Sequence, residues 1–234
     1  MKFADAPASE IEAMRARVLV PATTVETGAQ QLTRAFLSSF STVLLARVFV
    51  LLPHDVLPES EQKVVAEILG GAPATTAPIL TLMGTAGVEL AWNDRRTSAR
   101  HRVIPLGDSR YRDRAPMITS LLAHFGVESC GGRVVLPAEM LGGRNATFYV
   151  DDARTARVPG TNRFVIPDRP FVERYGVQTV FGMGGAYQDG TLVAALVFAR
   201  ERVPESLVGR FPSFLGSFKE ATANALTKRE IFED

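Results

Sequence analysis

The stretch "VQTVFGMGGAYQDGTLVAALVFA" (177–199) restricts the possible folds more than any other part of the chain. Two apolar runs meet at Gln188-Asp189-Gly190. Asp-Gly between such runs signals a β-hairpin, because glycine accepts the positive φ that tight hairpin turns require. The chain is therefore expected to contain an antiparallel sheet with a long hairpin near its end.

The glycines at 182, 184, 185 and 190 raise a second question, whether this is a phosphate-binding loop. A Walker loop needs lysine and a hydroxyl after its last glycine, and Ala186 and Tyr187 stand there. A dinucleotide fingerprint counted from Gly182 needs glycine or alanine at 187, opening a helix, and that residue is Tyr187. The remaining reading is close backbone contact or a bulge in a strand.

Other elements follow from periodicity. Ser9 with Glu12 and Thr23 with Glu26 have capping-box spacing, so helices are expected after each, the first stopping before Pro21. Leu32, Ala35, Phe36, Phe40, Val43 and Leu44 form one helical stripe. "LLARVFVLLP" then reads as a buried central strand ended by Pro53. "PESEQKVVAEILGG" reads as a helix with Pro58 in its first turn and Gly70 at its stop. "APILTLMG" is a second strand, a helix is expected from about Arg114 to Phe125, and "ATFYVDD" and "RFVIP" are short strands. Residues 130–145 show no clear period. A short turn near 205–210 and a helix burying Phe214, Leu215, Phe218, Ala221, Ala225 and Leu226 complete the chain. The expected organisation is an N-terminal helical extension, 1–22, and one α+β domain, 23–234.

With 26 basic and 25 acidic residues, the net charge of +1 gives no field drawing the chain to nucleic acid or membrane. The longest apolar run, 42–53, is too short to span a bilayer and carries Arg47. The start lacks the apolar core of a secretory signal, and a lone cysteine, Cys130, excludes an internal disulfide. A cytoplasmic location is expected.

The order of elements, together with "PILTLMGTAGVELAWNDRRTSARHRVIPL" and "FVIPDRPFVERYGVQTVFGMGGAYQDGTLVAALVFARERVP", resembles the GAF/PAS-like sensory input domains of histidine kinases and two-component proteins, over about residues 25–230. The resemblance implies a GAF-like antiparallel sheet with flanking N- and C-terminal helices and helices packed on one face. It also implies a small-molecule pocket between the other face and its covering loops and helices. Terminal helices of such domains pair two copies and pass a signal onward. No kinase, cyclase or DNA-binding module follows here, so the output is expected on another protein or in a longer chain.

Several constellations hold residue types suited to chemistry. "WNDRRTSARHR" gathers Arg95, Arg96, Arg100, His101 and Arg102, either an anion site or docking surface, or a solvated loop with local Arg–Asp pairs. His54, His101 and His124 lack metal-ligand spacing. His124, Glu128 and Cys130 are close in sequence, but a histidine near a helix C-terminus also meets the dipole favourably. "DDARTAR" (151–157) could hold a polar ligand or cap a strand end, and no catalytic signature is present. The pocket is expected among residues 84–170, with Trp92, Asn93, Arg95, Arg96 and His101 at its edge and Phe148, Phe181 and Tyr187 lining it. No metal, nucleic-acid or catalytic site is assigned, and the cofactor is left open. The expected role is a sensory domain that binds a small ligand or partner and shifts its terminal helices toward an output such as a histidine kinase. A ligand-free dimerisation scaffold and a small enzyme with a non-standard site are the alternatives.

Overall fold

The computed structural model describes residues 1–98, 101–108, 115–130 and 132–233, with Cys130 described in its backbone only. Its centre is a six-stranded antiparallel sheet in the order β3-β2-β1-β8-β7-β6. These strands are β1 (Val43–Pro53), β2 (Pro78–Gly87), β3 (Val103–Pro105), β6 (Ala146–Val150), β7 (Thr179–Ala186) and β8 (Leu192–Ala199). A separate two-stranded ladder joins β4 (Glu128–Cys130) to β5 (Arg133–Val135). The fold is thus α+β, with an antiparallel sheet flanked by terminal helices.

β1 lies inside the sheet because both of its faces are apolar. It pairs from Leu45↔Gly87 to Pro53↔Pro78 on one side and from Val43↔Ala199 to Val50↔Val193 on the other. The β7–β8 hairpin forms as expected, Thr179↔Ala199 to Ala186↔Leu192. Its tip closes through Tyr187 N–H to Thr191 O at 3.0 Å, and Gly190 takes φ 85°. The glycines inside β7 serve close packing: a Cβ on Gly182 would stand 2.9 Å from Ala195 O, and one on Gly184 would enter the Phe125 ring.

Helices α1 (Ala8–Val18), α2 (Val25–Ser39) and α8 (Pro212–Lys228) cover one face. Their core is strongly aromatic: Phe3 stacks on Phe40 with centroids 4.0 Å apart, and Phe36, Phe181, Phe211 and Phe214 surround them. Residues 1–22, expected as an extension, contribute Phe3, Met14 and Val18 to this core. The second face is covered by α4 (Pro116–His124) and the segment holding α6 (Arg169–Tyr175), and its core includes Leu45, Phe49, Leu196 and Phe198. The remaining helices are α3 (Glu59–Leu69), α5 (Ala138–Leu141) and α7 (Glu205–Val208).

Some expectations are corrected. The cap of α2 is Thr24, whose Oγ1 accepts from Thr27 N–H at 3.0 Å, not Thr23, and Glu26 is drawn instead into a buried ion pair. Ser9 lies within α1, which follows Pro7 with no side-chain cap. The helical stripe stops at Ser39, and Val43 and Leu44 open β1, because the apolar run 43–50, with valines at 43, 48 and 50, gains sheet partners in β2 and β8. "RFVIP" is not a strand: Phe164 makes only an isolated bridge to Arg157. The expected helix start at Arg114 and the cluster's Arg100 lie outside the described residues.

Candidate functional site

Alternation along β1 sends Leu45, Arg47 and Phe49 to the second face, and β8 adds Leu196 and Phe198 beside them. Above this floor is a cavity of about 370 Å³. Its cover consists of Trp92 from the 3₁₀ turn Leu90–Trp92, Ala115, Met117 and Ile118 around the start of α4, and residues from Ile166 to Tyr175.

The wall is aromatic and fixed by its own contacts. Trp92 packs 4.8 Å from Tyr175 and 5.7 Å from Phe171, and Phe171 meets Phe198 edge-on at 5.5 Å. Tyr175 OH donates to Glu89 Oε1 at 2.9 Å, joining the end of α6 to the turn that carries Trp92. Thr85 Oγ1 donates to Trp92 O at 2.9 Å. Asn93 locks the same turn: its Nδ2 donates to Gly87 O and Glu89 O, and its Oδ1 accepts from Gly87 N–H. Asp168 caps α6 by accepting from Phe171 N–H.

The charge within the floor is Arg47, partly buried in a strand of apolar neighbours. Desolvation lowers its guanidinium to about 10, so it keeps its proton at neutral pH. Arg47 Nη2 donates to Ser98 Oγ at 3.0 Å, and Ser98, six residues after Trp92, is buried. His101, Asp168 and Arg174 add polar groups to the lining.

Of the eight residues expected at the site, Trp92 and His101 line this cavity. Asn93 positions the turn behind it. Arg95 and Arg96 face away. Arg95 is 6% exposed, with Nη1 donating to Glu61 Oε1 at 2.8 Å and Nε 2.8 Å from Glu26 Oε1. Arg96 lies 3.5 Å from Glu26 and donates to Glu233 O at 3.0 Å. Phe148 is buried against His124, centroids 5.3 Å apart, outside the lining. Phe181 and Tyr187 lie in the core of the opposite face, where Tyr187 OH meets Thr222 Oγ1 at 2.7 Å. Alternation explains the miss: β7 places Phe181 and Met183 on the helix-covered side.

The residues missed were Arg47, Asp168, Phe171, Arg174 and Tyr175. Arg47 carried a legible signal, a single charge in "LLARVFVLLP" two positions from Leu45 and Phe49. The expected window, 84–170, includes Asp168 but ends at the second residue of α6, before Phe171, Arg174 and Tyr175. The "DDARTAR" acids are surface pairs: Asp152 accepts three bonds from Arg154 at 2.9 Å, two from its guanidinium and one from its backbone N–H, and Asp151 pairs with Arg202. Bonds from those arginines hold both carboxyls below the usual range. Among the described residues, no three His, Cys, Asp or Glu are grouped to hold a metal, and no helix is long and apolar enough to cross a membrane.

No protein-family model matches the chain, and no curated protein matches its sequence. Among solved structures the chain is similar to the phycoerythrobilin-bound GAF domain of a cyanobacterial phytochrome, with 12% identity, TM-score 0.49, and 94% of this chain and 96% of that one covered. It is similar to the phycocyanobilin-bound GAF domain of a cyanobacterial phytochrome at 12% identity, TM-score 0.46, covering 96% and 97%. A free methionine-R-sulfoxide reductase from Neisseria meningitidis, solved with its substrate, overlaps at 8% identity, TM-score 0.46, covering 96% of each chain.

Proposed function

We propose that the chain is a GAF-like sensory domain that binds a small molecule in the cavity over β1 and β8 and answers by conformational change rather than by catalysis. The observation that carries this reading is the set of residues 92–98 with His101, which serves two places at once. Trp92 and His101 line the cavity, and Ser98 holds Arg47 on its floor. Arg95 and Arg96 of the same set engage Glu26 at the start of α2 and the segment after α8. That segment is bonded in turn to α2: Val25 N–H donates to Glu230 O, Glu26 N–H to Ile231 O, and Glu233 N–H to Glu26 Oε2.

A ligand that moves Trp92 or Arg47 therefore acts on the junction of the two terminal helices. It shifts that junction only by its difference in affinity for the two arrangements. In this reading two copies pair through terminal helices in the cytoplasm and pass the change to an output module such as a histidine kinase.

The test is native mass spectrometry of freshly purified protein, followed by denaturing release. One small molecule per chain is expected, absent from a Leu196→Trp variant that fills the cavity. Equal results for the native chain and a folded Leu196→Trp variant, with no molecule released from either, would favour a ligand-free scaffold.

A further inference from the structure

Past α8 the chain leaves its helix and turns back across the start of α2. We propose that this segment, residues 229–233, is a detachable strap, and that on its release α8 runs on through Arg229 as a helix longer by about one turn. The inference rests on the strap's own contacts, so its failure leaves the reading of the cavity untouched.

The strap is clipped to α2 by polar bonds. Val25 N–H donates to Glu230 O at 3.1 Å and Glu26 N–H to Ile231 O at 2.9 Å. These are the first two donors of α2, groups that a helix cannot satisfy within itself. Glu233 is held through three atoms. Its N–H donates to Glu26 Oε2 at 3.0 Å, its carbonyl accepts from Arg96 Nη2 at 3.0 Å, and its carboxylate accepts from Thr27 Oγ1 at 2.7 Å. The Arg95 guanidinium lies 4.9 Å from the centre of the Phe232 ring. Of the five side chains Ile231 alone is buried, so one apolar anchor holds the strap against the core.

The joint between helix and strap is strained. Arg229 has φ 61° and ψ 26°, the left-handed region, which crowds a residue that carries a Cβ. Helices α3 and α6 make the same exit at Gly70 and Gly176, where that crowding is absent. Glycine at such a joint also disfavours a continued helix, whereas arginine is a good helix former and keeps the continuation accessible. Residues 229–233, Arg-Glu-Ile-Phe-Glu, contain no glycine or proline to stop it. In a continued helix Phe232 falls seven residues after Ala225, on the stripe already formed by Phe218, Ala221 and Ala225. Release gives up the clip and the Ile231 contact, but it removes the strain at Arg229 and carries the helical hydrogen bonds onward.

The test is amide exchange and backbone chemical shifts, read by NMR on the whole chain. The Val25, Glu26 and Glu233 amides, which bond between the strap and α2, should open together. Their protection factors should agree within about fivefold and lie about a hundredfold or more below those at the centre of β8. Arg229→Gly relieves the strapped joint and disfavours the continued helix, so it should slow exchange of all three by about fivefold or more. Ile231→Ala removes the anchor and keeps helix propensity, so the Cα shifts of 229–233 should become helical. Coil-like or unchanged shifts in that variant overturn the inference. If Ile231→Ala does not fold, the native chain and Arg229→Gly decide it. Strap amides as protected as those of β8, or not slowed by the glycine, overturn it equally.

Discussion

Arg95 Nε stands 2.8 Å from Glu26 Oε1 with both side chains 6% exposed, yet its N–H is not aimed at that oxygen, so the contact is an ion pair without a hydrogen bond. The directed bond of the same guanidinium goes to Glu61 Oε1. Removing one partner of a buried pair costs about 3–5 kcal/mol, because the other charge is left in a poorly hydrated place. Arg102 still bonds Glu61 and Arg96 still faces Glu26. Arg95→Met is therefore expected to lower stability by about 3 kcal/mol, the lower end of that range, measured by urea unfolding. A loss below about 0.5 kcal/mol, the size of a surface effect, would show that the pair is not buried in solution.

Glu61 gives the cluster a pH dependence. Burial pulls its carboxyl upward, but bonds from Ser60 and Arg102 and the charges of Arg95 and Arg102 outweigh it and hold the group below its ordinary value. A carboxyl depressed on folding adds stability that is complete above the ordinary glutamate range, about pH 4 to 5, and is lost as pH falls through the folded value. The native chain should exceed Glu61→Gln in stability at pH 7, and the gap should shrink as pH falls below that range. A gap independent of pH between 7 and 3 would contradict this.

Two glycines should respond oppositely to alanine. A Cβ on Gly84 of β2 would press on the backbone of α2, at Ala29 and at Gln30 N, 2.7 Å away, and backbone cannot rotate aside. Gly84→Ala should cost about 3 kcal/mol by overpacking. Gly216 of α8 has nothing within 4 Å of such an atom, and alanine there should add about 0.5–1 kcal/mol through helix propensity. Thermal or urea unfolding of the two variants checks the contrast.

The cap of α2 can be tested in the same way. Thr24→Ala removes the acceptor for Thr27 N–H and should cost about 1 kcal/mol. Thr23→Ala touches only an exposed hydroxyl contact and should change stability by less than about 0.5 kcal/mol. The reverse order would restore Thr23 as the cap.

Glu26→Gln weakens the pairing with Arg95 and Arg96 and the acceptor for Glu233 N–H. Hydrogen exchange, followed by mass spectrometry, should accelerate in peptides covering 93–98 and 229–233 and stay unchanged in the β7–β8 hairpin. Acceleration in only one of the two segments would argue that the loop and the C-terminal segment are not joined through α2.

Five strands (β1, β2, β6, β7 and β8), the hairpin and most helices were legible in the residues themselves, because a period of two or 3.6 and turn chemistry are local properties, whereas the short β3, β4 and β5 carried no such signal. The Asp189-Gly190 tip, the central strand at 44–53 and the face of α8 needed no partner to be recognised. Close competitors were not legible. Thr23 and Thr24 differ as caps only by where the chain enters α2, and "RFVIP" has strand composition without a neighbouring strand to pair with.

The cavity depended on information of another kind. Arg47, Trp92, Phe171 and Phe198 are far apart along the chain and meet because β1 and β8 are neighbours and α6 folds over them. Local pattern says that Phe181 and Phe198 will be buried, but not on which side of the sheet. Composition grouped Arg95 with an anion site, while two buried carboxylates from α2 and α3 claimed it as a structural cation. Amino-acid order carries the elements because their rules act over a few residues. The site belongs to three-dimensional packing, since strand order and the facing of each strand are settled by contacts between distant segments.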